Sequence, residues 1–145
     1  MIEVEIDDEA WGAVADVEDR VHEAAMAALD QPGLITVTLT DDDTVADLNQ
    51  RFRGKAGPTN VLSFPAAETA RPFLGDVILA HGVCTREAAE QGKPIADHLR
   101  HLVIHGVLHL LGHDHLEDDE AEAMEAKERT LLAKLGVPDP YAVSR

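Results

Sequence analysis

A chain of 145 residues with 45% apolar composition holds material for one hydrophobic core, so a single domain covering residues 1–145 is expected. Its formal charge of −16, from 28 acidic against 12 basic side chains, argues against non-specific attraction to phosphate backbones or anionic membranes. Aromatic residues make up only 3%, which limits base stacking, and the lone Cys84 excludes an intramolecular disulfide framework and suits a reducing compartment.

The opening IEVEI alternates apolar and acidic residues, the period of a half-buried strand. From about Asp8 to Asp30, the residues Trp11, Val14, Val17, Val21, Ala25 and Ala28 recur at helical spacing, and Pro32-Gly33 ends the pattern. LITVTLT (34–40) is rich in β-branched residues and reads as a second strand. Val45, Leu48 and Phe52 mark a short helix that stops near Gly54. RGKAGPTNVLSFP (53–65) begins as a loop and continues as a strand through NVLSF, and LGDVILA (74–80) is a fourth strand. A helix is expected over Thr85–Gln91, a longer apolar one from about Ile95 to Leu111, and a last one from Asp118 to Leu135 with its acids first. The order of elements predicts an α+β fold: one mixed sheet of about four strands packed with about five helices. The first residues lack the basic start and apolar run of a signal peptide, and no apolar stretch approaches the ~18 residues of a membrane span. A cytoplasmic protein with no membrane partner is expected.

The stretch HGVLHLLGHDH (105–115) carries the chemistry. On a helix, His105 and His109 lie about 40° apart around the axis and ~6 Å along it, so both imidazoles can grip one ion. A third ligand must come from beyond the helix, and Gly112 supplies the turn, since glycine takes the left-handed conformation that folds a chain back at a helix end. His115 is then the third ligand. Three neutral nitrogens with one position left over describe a catalytic zinc site, whereas structural sites fill all four positions and favour cysteine. The rival trio His101, His105 and His109 spans ~12 Å of straight helix, too far for bonds of ~2.1 Å to converge. His101 packs or supports the site from behind, and His22, His81 and His98 follow no ligand pattern.

The spacing HxxxHxxGxxH matches zinc peptidases of the metzincin type, in which a glutamate follows the first histidine and acts as general base. Here that residue is Gly106, which takes no proton. A Lewis acid remains, suited to a substrate that needs charge neutralised at phosphorus or brings its own nucleophile.

HGVLHLLGHDH resembles the HGxLHLxGYDH signature of the YbeY family, bacterial endoribonucleases of ribosomal RNA maturation. RGKAGPTNVLSFP is similar to that family's RxKDxPTDVLSFP, LGDVILA to its LGDI strand, and EDDEAEAMEAKE and the terminal DPY also agree, so the likeness covers most of residues 35–141. The resemblance implies zinc ligation by His105, His109 and His115, one ion per chain, and a catalytic or phosphate-binding role for Arg53. It also implies single-strand-preferring cleavage in maturation of the 16S ribosomal RNA 3′ end and in ribosome quality control. The partners it implies are ribosomal RNA, the small ribosomal subunit with its proteins, and a ribosome-associated GTPase. Two positions depart from the pattern: Ala56 stands for an aspartate and His113 for a tyrosine.

Arg51, Arg53 and Lys55 fall within five residues in a chain otherwise short of positive charge, with Arg71 as an addition. If this loop faces the zinc, Arg53 offers a planar fork to a phosphate, while Lys55, Thr59 and Ser63 line the substrate groove. A solvated loop with ordinary turn chemistry is the plain alternative. Two other functions stay open: a zinc peptidase or other metal hydrolase drawing its base from Asp114 or Asp76, and a non-catalytic ribosome-associated protein that zinc merely stabilises.

Overall fold

The computed structural model describes residues 1–113 and 117–141. Among these, four strands and five α-helices follow in the order β1 (Ile2–Ile6), α1 (Val17–Ala28), β2 (Leu34–Thr40), α2 (Asp42–Arg53), β3 (Val61–Pro65), β4 (Phe73–Ala80), α3 (His81–Glu90), α4 (Ile95–Leu110) and α5 (Asp118–Lys134). The strands form one sheet in the order β1-β2-β4-β3, with β1, β2 and β4 parallel and β3 antiparallel to β4 at one edge. This is the mixed four-stranded α+β sheet that the sequence predicts.

Side-chain alternation assigns each face of the sheet a different cover. Val37, Leu39, Val77 and Leu79 join Val21 and Ala25 of α1 and Val103, Val107 and Leu108 of α4 in the main core. On the opposite face Val45 of α2 packs with Leu62 and Ala80. Trp11 lies at the end of the main core, fully buried, and its indole Nε1–H donates to the Thr40 carbonyl at 2.9 Å. That bond satisfies the one polar atom of the ring.

Two boundaries differ from the sequence expectation, each for a physical reason, and one side chain falls outside the core. The helical periodicity over residues 8–30 is divided into a short 3-10 turn (Glu9–Ala13) and α1, because Asp16 takes a left-handed backbone at φ 54°. Helix α3 begins directly at the end of β4, four residues before Thr85. Its start is capped from afar: the Val83 N–H donates to Asp42 Oδ1 at 3.0 Å. Phe52, in phase with Val45 and Leu48, is left largely outside the core. At Gly75 the β2–β4 register shifts, and a Cβ there would collide with the Phe64 carbonyl with the backbone at φ 144°, so a bulge accounts for this glycine.

Candidate metal centre and cleft

Helix α4 is buried at every position from Leu102 to Leu110 except His105 and His109, which are half-buried, as is His101 one turn earlier. The three histidines form the outward stripe of a helix otherwise sunk into the core. What sinks it is Gly106. A Cβ at this position would stand 2.6 Å from Val77 Cγ1, and the Gly106 carbonyl accepts a hydrogen bond from Ser63 Oγ at 3.1 Å. The position that bears the peptidase base elsewhere is pressed against the sheet here. A glutamate side chain would have to enter the core, so a peptidase with its base at this position is excluded on packing as well as on chemistry.

The Nε2 atoms of His105 and His109 face each other at 3.2 Å. Two nitrogen lone pairs at that separation repel unless a proton or a cation lies between them. Two ligands on one tetrahedral zinc, each at ~2.1 Å, stand about 3.4 Å apart. The spacing of the donor pair therefore matches that of two ligands on one zinc ion.

Behind the pair stands a residue that sequence reasoning missed. Glu128 of α5 is fully buried, and its two oxygens take Nδ1 of His105 at 2.9 Å and Nε2 of His101 at 2.7 Å, with the Tyr141 hydroxyl donating to the same carboxylate. A proton on Nδ1 of His105 leaves the lone pair of the ring on Nε2, the atom that faces His109, and a carboxylate in this place is the arrangement that orients metal-binding histidines generally. Burial alone would raise the carboxyl's pKa. The hydrogen bonds from His101, His105 and Tyr141 outweigh it and hold the group down at about 2. Burial and the hydrogen bond to Glu128 push the Tyr141 phenol far upward, so it stays a donor. The available signal was an acid in phase with Met124, Leu131 and Leu132, the buried positions of α5.

The histidine pair opens into a cleft of about 660 Å³ whose other wall carries Arg53, Lys55, Thr59 and Ser63. Gly54 takes φ 65° and ends α2, and its N–H bonds back to the Asn49 and Gln50 carbonyls. Asn49, nearly buried, then ties down the following loop through Nδ2 to the Gly57 carbonyl at 2.9 Å. This loop carries the positive charge to the histidines. All four substrate-contact candidates thus share one cleft with two of the proposed ligands, although the Ser63 proton is engaged by Gly106. His113 lines the same space, whereas Arg51 turns to Asp47 at 3.3 Å and Arg71 lies elsewhere.

After α4 the chain turns as the glycine requires. Gly112 has φ 98°, its N–H reaches the His109 carbonyl at 3.1 Å, and the His113 N–H reaches the Leu108 carbonyl at 3.0 Å. His115, the expected third ligand, and Asp114 lie outside the described residues. Among the described residues no set of three metal-binding side chains converges. Asp76, the other candidate base, projects from β4 on the α2 side, away from Val77 and the histidines. His98 is buried against Glu87 at 2.8 Å and depressed in pKa by that burial. Burial pushes the Cys84 thiol up to about 12, which removes it as a nucleophile.

Comparison with known proteins settles the family. A family model described as Endoribonuclease YbeY matches residues 3–136. The chain belongs to the YbeY family. A Maricaulis maris protein named Endoribonuclease YbeY is 53% identical, the match covering 97% of this chain and 91% of that one. A relative of the same name from Rhizorhabdus wittichii is 48% identical over 99% of both chains. A solution structure from Thermotoga maritima superposes with a TM-score of 0.65 at 25% identity, covering 99% of this chain and 100% of that one. Among the described residues no helix is long and apolar enough to cross a membrane.

Proposed function

We propose that this YbeY-family chain is a zinc-dependent endoribonuclease that prefers single-stranded RNA and acts in ribosomal RNA maturation, at the 16S 3′ end, and in ribosome quality control. The observation that carries the reading is the His105–His109 Nε2 pair at 3.2 Å, opening into a cleft shared with Arg53 and Lys55. The relatives named Endoribonuclease YbeY supply the reaction class.

A zinc ion held by His105, His109 and His115 would supply Lewis-acid polarisation at a phosphodiester. Glu128 holds the His105 ring in the tautomer that offers Nε2. Arg53 presents a planar fork to two phosphate oxygens and meets negative charge as it grows at phosphorus, while Lys55 adds a point charge beside it. Thr59 and Ser63 complete the polar wall. Gly106 offers no base, so the proton of the attacking group leaves by another route.

The charge of −16 means that the protein's own long-range field repels RNA, so delivery belongs to a partner. The small ribosomal subunit and its proteins, with a ribosome-associated GTPase, are the partners proposed, and a cytoplasmic location goes with them. The test gives purified protein single-stranded RNA and the matching DNA, with and without chelator. RNA cleavage that chelation abolishes, and that Arg53→Ala and His109→Ala lower by about a hundredfold or more, is expected. Metal-loaded protein that leaves RNA uncut, or variants that cut like the wild type, would overturn the reading in favour of a zinc-stabilised binding protein.

A further inference from the structure

The last turn of α2 carries an aromatic ring on the outside of the protein. Phe52 is 65% exposed in a chain with three phenylalanines in all. Its position is fixed all the same. One side meets Phe64 edge-on, with ring centroids 5.7 Å apart and planes at 68°, and the Arg51 guanidinium lies 5.8 Å from the Phe52 centroid. The ring is thus held between an aromatic and a cationic neighbour, yet most of its surface is open to water and offers apolar area to another flat group.

Its place relative to the cleft says what that group is. Along the edge strand β3, Val61, Ser63 and Pro65 line the cleft, while Leu62 and Phe64 alternate to the α2 side. Phe52 therefore stands across one strand's thickness from the cleft, and its chain neighbour Arg53 lines the cleft itself. Cationic side chains flank the ring: Arg51, which also pairs with Asp47, lies over it, and Arg53 and Lys55 line the cleft. These are three of the twelve basic residues on a surface of opposite charge. A polyanion with flat, apolar faces matches this path, and an acidic or purely apolar peptide matches only half of it.

We infer that Phe52 is a stacking platform for a base of single-stranded RNA whose neighbouring phosphate is held in the cleft by Arg53. The inference rests on the RNA reading of the cleft and adds a second contact to it. Stacking on an aromatic face is tolerant of base identity, so the platform favours unpaired strands over duplexes and strengthens binding rather than chemistry. Duplex bases are already stacked on each other and have no face to give.

The experiment uses metal-loaded protein and an unstructured RNA of about ten nucleotides with a 2-aminopurine at successive positions, read by anisotropy and by quenching of the base. Phe52→Leu keeps apolar cover over Phe64 but removes the π-face. It is expected to weaken RNA binding about tenfold, to abolish quenching at one position, and to raise KM rather than lower kcat. Phe52→Trp is expected to restore binding and quenching. The ratio between Leu variant and wild type should shrink as the RNA is shortened. RNA bound by Phe52→Leu as tightly as by wild type would overturn the platform and leave Phe52 as a protein contact, as would a loss that Phe52→Trp does not recover. Failure of wild-type protein to bind or cut any RNA is a different result and sinks the reading of the cleft itself.

Discussion

Glu128 reaches from the buried face of α5 to Nδ1 of His105 at 2.9 Å, so a carboxylate with no exposure to solvent decides which nitrogen of that histidine faces the cleft. The same group accepts from His101 and Tyr141, and three elements of the chain meet on two oxygen atoms. The orientation of the His105 ring is therefore a tertiary property of this fold.

Glu128→Gln should separate orientation from folding. The amide is nearly the same size but offers one acceptor oxygen where the carboxylate offers two, and it carries no charge. Metal affinity is expected to fall by about 10–100-fold while the far-ultraviolet circular dichroism is retained. Competition with a chromogenic chelator measures this, and unchanged affinity would mean that His105 is oriented by something else.

The same carboxylate makes stability depend on acid. Its ordinary value is 4.5 and its value in the fold about 2, so between these limits the unfolded chain binds more protons than the folded one. The stability it contributes is complete above the upper value and is lost as pH falls towards the lower. Denaturant unfolding of metal-free protein at about pH 6 and about pH 3 should show the loss, and a smaller one in Glu128→Gln. A variant with an unaltered acid slope would assign that slope to other groups.

Much of the fold was legible because it obeys local rules. The alternation of IEVEI, the β-branched run at 34–40 and the apolar period from Ile95 each mark an element that forms, and α4 ends within one residue of expectation. The misplaced boundaries are those set from a distance or by a single backbone angle: Asp42 caps α3 across 41 residues, and the left-handed Asp16 cuts a continuous helical period. In the site, the spacing of His105 and His109 already placed two imidazoles together, and Gly112 turns as expected. Glu128 was hidden because an acid in an acid-rich helix looks like solvated surface. Only its phase among Met124, Leu131 and Leu132 shows that it points inward.

Gly106 shows how packing can exclude a chemistry. Gly106→Ala places a methyl group 2.6 Å from Val77 Cγ1 and should cost about 1–3 kcal/mol in a denaturant titration. Combined with Val77→Ala, the cost should be less than the sum of the single losses, because the second change makes room for the first. Gly106→Glu is expected to lose stability and to gain no peptide hydrolysis, and a variant that cleaves casein would show that this position does open to the cleft.

We propose that His105, His109 and His115 hold one ion with a position left for substrate. The most direct test is the stoichiometry and absorption spectrum of cobalt-substituted protein, compared with the three single alanine variants. One cobalt per chain is expected, with the strong visible absorption of a four-coordinate centre that changes on adding a phosphate ligand and disappears in each variant. Full retention of that spectrum in His115→Ala, or no cobalt bound by the wild type, would contradict it.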